Sequence, residues 1–90
     1  MIECTIDVAF ESSFVNLWFK KYVILDIEGL TICNKVGGRT ELKSSYRAIE
    51  IDNVDDTQTE LKIKIDDQLI NCKFENLEEL NNFSETMLAN

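Results

Sequence analysis

The feature that most constrains this sequence is a pair of apolar runs joined by a four-residue turn. Residues 18–25 are Trp-Phe-Lys-Lys-Tyr-Val-Ile-Leu, and residues 30–33 are Leu-Thr-Ile-Cys. The connecting residues 26–29, Asp-Ile-Glu-Gly, have the composition of a tight turn. β-Branched and aromatic residues on both sides of such a turn are typical of a β-hairpin. The chain is therefore expected to contain an antiparallel sheet.

Alternation of apolar and polar residues predicts further strands on both sides of this hairpin. Residues 2–10 alternate strictly, and residues 61–65 alternate before the Asp66-Asp67 turn. A polar stretch at 39–45 has room for one short strand, and Ile49 and Ile51 are expected to face inward. We predict six or seven strands within residues 2–75. The expected segments are 2–10, 17–27, 30–33, 39–45, 46–51, 61–65 and 69–74 as strands, with 53–59 as a loop.

The C-terminal residues have the pattern of a capped amphipathic helix. Asn76 is followed three residues later by Glu79, which is the spacing of a capping box. Apolar residues recur at helical spacing and form one stripe, which comprises Leu77, Leu80, Phe83, Met87 and Leu88. We therefore predict a helix over residues 76–89 that covers the sheet.

Length and composition favour a single domain spanning residues 1–90. A chain of this size buries only about 60% of its unfolded surface, which leaves little stability for a deep catalytic cavity. The sequence has no stretch near the ~20 consecutive apolar residues of a membrane span. Apolar and polar residues alternate at its N-terminus, which is typical of a strand and not of the continuous apolar core of a signal peptide. The expected location is the cytoplasm, including the periphery of a membrane or the cytoskeleton.

The chain offers few residues for metal binding or catalysis. It has three cysteines and no histidine, and Cys4 and Cys72 fall in phase with apolar neighbours, where they act as small hydrophobic residues. The sequence contains neither a Cys-x-x-Cys pair nor a glycine-rich phosphate loop. We expect no metal, no cofactor and no enzymatic activity.

The strand at 18–25 and the capped helix resemble the pleckstrin-homology (PH) domain-like superfamily over nearly the whole chain. The second strand of that family has a tryptophan, then basic and aromatic residues, then Val-Leu, which is similar to residues 18–25. Phe83 stands where the family's final helix normally carries a tryptophan. The resemblance implies a partly open antiparallel β-barrel of two orthogonal sheets, capped by the helix. The expected structural core includes Trp18, Tyr22, Phe74 and Phe83.

Lipid-binding members of this family bring several bases together at the first loop and the second strand. Here residues 9–16 contain no base, and Phe19 stands where the first base after the tryptophan is expected. Residues 20–47 carry six bases and three acids, a local charge of +3, whereas the rest of the chain carries three bases and fourteen acids. The candidate lipid- or anion-binding residues are Lys20, Lys21, Lys35, Arg39 and Lys43. The competing interpretation is that these bases are solvated strand residues that prevent edge pairing.

The loop at residues 11–16 contains two apolar residues, Phe14 and Val15, in a connection where polar residues are usual. Three explanations stay open: these side chains cover the mouth of the barrel, contact a protein, or enter a membrane interface. The favoured hypothesis is a non-catalytic module for protein–protein recognition, scaffolding or self-association, in which Phe14 and Val15 are the candidate contact residues. The alternative is a phosphoinositide-binding module for membrane recruitment. Because the net charge is −8, we expect no nucleic-acid partner.

Overall fold

Alternating side chains build seven antiparallel strands and a C-terminal helix in the part of the chain that the structure describes. The computed structural model describes residues 1–12 and 16–90. The strands are β1 Ile2–Phe10, β2 Phe19–Leu25, β3 Leu30–Cys33, β4 Thr40–Ser44, β5 Ile49–Asp55, β6 Glu60–Ile65 and β7 Gln68–Lys73, and the helix is α1 Leu77–Ala89. A one-turn 3-10 helix, Tyr46–Ala48, connects β4 to β5. The prediction of a mostly β fold with one C-terminal helix is confirmed.

The strands form one sheet in the order β4-β3-β2-β1-β7-β6-β5. Every neighbouring pair is antiparallel, so β1 lies in the middle and joins the meander β1–β4 to the meander β5–β7. β4 and β5 are the two edge strands, and each has one register shift, at Glu41 in β4 and at Asp52 in β5. The helix contacts β2 and β6 and therefore packs against both meanders. No helix within residues 1–12 and 16–90 is long and apolar enough to cross a membrane.

Three predicted boundaries differ from the structure. The strand expected at 17–27 is shorter, because pairing with β1 begins only at Phe19. Residues 46–48 form the 3-10 turn rather than a strand. The loop expected at 53–59 is wrong in its first half, because β5 continues to Asp55 and pairs with β6. The Asp55 carboxylate closes the following turn by accepting the N–H groups of Thr57 at 3.0 Å and Gln58 at 3.2 Å.

Two turns depend on backbone angles that few residues adopt. Asp66 and Asp67 have φ of 49° and 65°, which is the geometry of a two-residue hairpin turn with both central residues left-handed. Gly29 has φ of 139°, and a Cβ placed there would lie 2.0 Å from the Ser44 carbonyl oxygen. The β2–β3 connection therefore needs glycine at this position, both for its backbone angle and for its contact with β4.

The core lies between the sheet and the helix. Phe74 and Phe83 are buried with ring centroids 5.0 Å apart, and Leu80 and Met87 complete the buried face of the helix. The predicted apolar stripe is narrower than expected, because Leu77 and Leu88 are exposed. The Asn76 side chain caps the helix by accepting the N–H of Glu79 at 2.9 Å.

Two of the four predicted core residues lie outside the core. Trp18 precedes the first paired residue of β2 and remains 41% exposed, so the expectation that it is buried is wrong. Tyr22 is half-buried, but it alternates with the buried Val23 and therefore lies on the opposite face of the sheet. The exposure of Trp18 follows from where the β1–β2 pairing begins, and the position of Tyr22 follows from the alternation of side chains along β2.

Candidate interaction surface

The clearest unusual surface is a run of three large apolar residues at the start of β2, which we call the exposed segment: Leu17, Trp18 and Phe19. Their exposed fractions are 57%, 41% and 55%. The other large exposed apolar side chains of the described residues, such as Ile27 and Leu88, have no such neighbour directly beside them in the sequence. Scattered apolar side chains need no explanation, whereas three large exposed apolar residues in succession are unusual, and they make this segment the candidate interaction surface.

An ion-pair network lies beside the exposed segment. Lys21 Nζ is 5.5 Å from the Phe19 ring centroid and 2.8 Å from Glu41 Oε1. The second oxygen, Glu41 Oε2, is 3.7 Å from an Arg39 guanidinium nitrogen. Glu41 lies at the β4 register shift, where it has no direct partner on β3. A bulge of this kind changes the direction of a side chain, and here the Glu41 carboxylate reaches Lys21 on β2.

Phe19 lies on the same face of the sheet as this ion pair. Along β2, Val23 and Leu25 are buried on the core side of the sheet, and Lys21 and Phe19 continue the same face because side chains alternate along a strand. The last buried side chain of β2 on this face is Val23, whereas on β1 the buried face continues to Val8, the direct partner of Phe19. Phe19 therefore stands at the edge of the core and is 55% exposed.

The candidate lipid-binding bases do not converge in the structure. Lys20 and Lys21 are consecutive in β2 and lie on opposite faces of the sheet, and Lys20 Nζ pairs with Asp7 Oδ1 at 3.1 Å. Lys43 pairs with Glu28 at 3.2 Å, on a part of β4 away from the exposed segment. The structure brings only Lys21 and Arg39 together, and they share one carboxylate.

Most bases of the chain are already paired with acids. Seven of the nine Lys and Arg side chains lie within 4.0 Å of a carboxylate, including Lys62, Lys64 and Lys73 in the second meander. Within the described residues, Lys35 and Arg47 have no such ion pair. These two bases are in separate connections, one after β3 and one in the 3-10 turn. The described bases therefore do not offer an unpaired cationic cluster to an anionic headgroup.

The stem of the β1–β2 loop is held by Glu11. Its N–H donates to the Leu69 carbonyl at 2.9 Å, and its carbonyl accepts from Gln68 Nε2 at 3.0 Å. Its carboxylate lies 3.4 Å from Asn71 Nδ2 and 3.6 Å from Lys62 Nζ. These contacts tie one side of the loop to the β6–β7 hairpin. The sequence indicated Glu11 only as an acid unfavourable for lipid binding, because its partners are more than 50 positions away.

The candidate contact residues Phe14 and Val15 lie outside the described residues. They fall between Glu11, whose contacts fix one stem of the loop, and the exposed segment, which forms the other stem. The apolar residues of this loop could be recognised from the sequence as unusual. The exposure of Leu17, Trp18 and Phe19 could not, because Trp18 and Phe19 are typical strand residues, which are usually buried.

Two of the three thiols, those of Cys4 and Cys72, are poor nucleophiles. Burial, followed by the nearby Glu79 carboxylate, raises the pKa of the Cys4 thiol to about 11. Burial raises the pKa of the Cys72 thiol to about 12. Both thiols are therefore protonated at neutral pH, and a thiol is much less reactive than a thiolate. Residues 1–12 and 16–90 contain no group of three or more His, Cys, Asp or Glu side chains arranged to hold a metal ion.

Comparison of the chain with protein-family models, with curated proteins and with solved structures finds no match. The fold and the surface define the class as a mostly antiparallel β protein with a C-terminal helix and an exposed aromatic segment.

Proposed function

We propose that this protein is a non-catalytic, PH-like interaction module that recognises protein through the exposed segment at the start of β2. The proposed PH-like arrangement is a partly open barrel in which the two meanders form orthogonal sheets capped by the helix. The central position of β1 and the contacts of the helix with both meanders support it. So do the two edge strands, which do not pair with each other in the described structure.

The observation that carries the proposal is the exposure of Leu17, Trp18 and Phe19 in succession, with Lys21 5.5 Å from the Phe19 ring. Tryptophan is enriched among the few residues that contribute most of the binding energy of protein interfaces. Burying an aromatic side chain contributes more than burying any other type, because its apolar area is large. The proposed partner is therefore a protein surface that covers these side chains, and the proposed place of action is the cytoplasm.

Lipid recruitment is the second candidate function, and the local charge of +3 over residues 20–47 favours it. On this alternative, an anionic headgroup would compete with Asp7, Glu41 and Glu28 for their lysine and arginine partners. Of those acids, Glu41 is largely buried beside Lys21, and the chain as a whole carries −8, which repels an anionic membrane. The electrostatic balance therefore favours protein recognition.

The test compares two double variants in two binding assays. The Trp18→Ser/Phe19→Ser variant removes the proposed contact, and the Lys20→Ala/Lys21→Ala variant removes the bases of β2. We expect no headgroup-selective sedimentation with phosphoinositide vesicles at low or moderate salt. We expect capture of protein partners from a cell extract by the unmodified protein and loss of that capture in the Trp18→Ser/Phe19→Ser variant.

The opposite pattern would replace the proposal with the lipid alternative. Headgroup-selective binding that fades steeply with salt and is lost in the Lys20→Ala/Lys21→Ala variant is the result that does so. Far-UV circular dichroism of each variant serves as the folding control, and it is needed above all for Lys21→Ala, which breaks the ion pair with Glu41.

A further inference from the structure

We propose that the partner of the exposed segment is a second copy of this chain, so that the segment packs against itself in a twofold dimer. This inference rests on the proposed function and specifies its partner. A twofold contact is isologous, which means that the same patch occurs on both sides of the interface. Such a patch must not carry an excess of one charge, because it would then repel its copy. The charges around the exposed segment meet this condition.

The surroundings of the exposed segment are nearly neutral in a strongly acidic protein. On the face of Phe19 lie Lys21, its partner Glu41 and Arg39, which also pairs with Glu41, and together they carry +1. On the opposite face, Lys20 and Asp7 pair with each other and carry no net charge. These five residues carry +1 in total, whereas the remaining residues of the chain carry −9, which gives the net charge of −8. Both signs are present and already paired, so two such patches can meet without a large repulsion.

Other surfaces of the described structure are unsuitable for a contact with themselves. The helix carries Glu78, Glu79 and Glu85 and no base, so two helices facing each other would repel. Both edge strands have a register shift and charged residues, among them Glu50 and Asp52 on β5, and such features prevent edge-to-edge pairing. The exposed segment combines apolar area with balanced charge, and this combination favours it as the dimer contact.

The proposal predicts an unusual sign for the salt dependence. Two molecules of charge −8 whose centres lie about one molecular diameter apart, 34 Å along the longest axis, repel each other at low ionic strength. Screening removes most of this repulsion between 0.01 and 0.15 M salt, which strengthens the dimer on the order of 50-fold. Binding of an acidic protein or of an anionic lipid by the bases would instead weaken as salt is added, because salt screens the attraction between opposite charges.

The experiment is sedimentation velocity of the purified full chain at 0.01 and 0.15 M salt, over the range of weak dimers, about 10 μM to 1 mM. We expect the average mass to rise with concentration and to rise more steeply at the higher salt. Trp18 is the only tryptophan, so its emission should shift to shorter wavelength in parallel. The Trp18→Ser/Phe19→Ser variant should remain a monomer, and Leu17→Glu provides a second variant if the first does not fold.

Ile27→Ser is the matched control, because Ile27 is 93% exposed at the opposite end of β2 and should not affect the dimer. A monomer at 1 mM and 0.15 M salt would overturn the inference, and so would a dimer that persists in the variants of the exposed segment or weakens with salt. If the protein is a monomer but still captures partners through Trp18 and Phe19, the inference fails and the proposed function stands. If the protein is a monomer and captures no partner through Trp18 and Phe19, both the inference and the proposed function fail.

Discussion

Replacement of Phe83 by alanine tests whether the helix is held on the sheet by its buried face. Phe83 is the largest fully buried side chain of the described structure, and its ring packs against Phe74 at 5.0 Å between centroids. Removal of a buried phenylalanine costs about 3–5 kcal/mol, from the lost transfer of apolar atoms out of water and from the cavity left behind. A chain of 90 residues is expected to have a total stability of about 5–13 kcal/mol. The variant should therefore lose a large fraction of it.

The measurement is urea unfolding followed by far-UV circular dichroism, which reports the sheet and the helix together. Leu88→Ala is the matched control, because Leu88 belongs to the same helix and is exposed. Its expected change lies within about 0.5 kcal/mol. In thermal unfolding the Phe83→Ala midpoint should fall by more than about 12 °C, since each kcal/mol shifts the midpoint of a small domain by about 4–8 °C.

A loss below about 1 kcal/mol for Phe83→Ala would refute the packing of the helix against the sheet. So would a loss equal to that of Leu88→Ala, because then the two faces of the helix would be equivalent. A change in the slope of the unfolding free energy against urea concentration would instead indicate that the substitution alters the unfolded state.

Three further predictions address a turn, an ion pair and a buried thiol. Gly29→Ala should lose at least about 2 kcal/mol by urea unfolding, because a Cβ would meet the Ser44 carbonyl; Gly37→Ala, with φ of 70° and open space around it, should lose about 1 kcal/mol. Glu41→Gln should cost about 1–3 kcal/mol, because it leaves the largely buried Lys21 ammonium without its carboxylate. Glu28→Gln, which affects the exposed pair with Lys43, should change stability by less than about 1 kcal/mol, and equal losses for the two variants would contradict the difference in burial. The pKa of Cys72 is raised from 9.0 to about 12 in the folded protein, so the folded state keeps a proton that the unfolded state releases above pH 9. Stability from this group is therefore present below pH 9 and falls by about 1.4 kcal/mol per pH unit above it. The stability gap between the unmodified protein and Cys72→Ala should narrow between pH 8.5 and 10, and a constant gap would contradict the raised pKa.

Local patterns were sufficient to predict the parts of the fold that depend on neighbouring residues. The alternation in β1, the Asp66-Asp67 turn and the Asn76 cap each depend on residues within a few positions, and the structure contains all three. The position of Trp18 could not be predicted in this way. Its exposure depends on where β1 and β2 begin to pair, and that register involves residues about ten positions apart.

The same distinction applies to the charged residues. Counting bases along residues 20–47 gives a positive region, but their partners come from other strands. Lys20 is paired by Asp7 of β1, and Lys21 by Glu41 of β4. Sequence spacing does not reveal these pairs, because a sheet brings together residues that are far apart in the chain. A local excess of bases therefore overestimates the cationic surface.

The Lys21–Glu41 pair links the fold to the proposed contact. A buried ion pair contributes little net stability, and well-packed apolar residues in its place are often as stable or more so. Apolar residues at positions 21 and 41 would extend the core along β2 toward Phe19. The ion pair instead places charged groups beside Phe19, with Lys21 Nζ 5.5 Å from its ring centroid, on the face that also carries the buried Val8 of β1. A partner that covers Phe19 would therefore meet an aromatic ring at the edge of the core with a balanced pair of charges next to it, which matches the apolar centre and polar rim of protein interfaces.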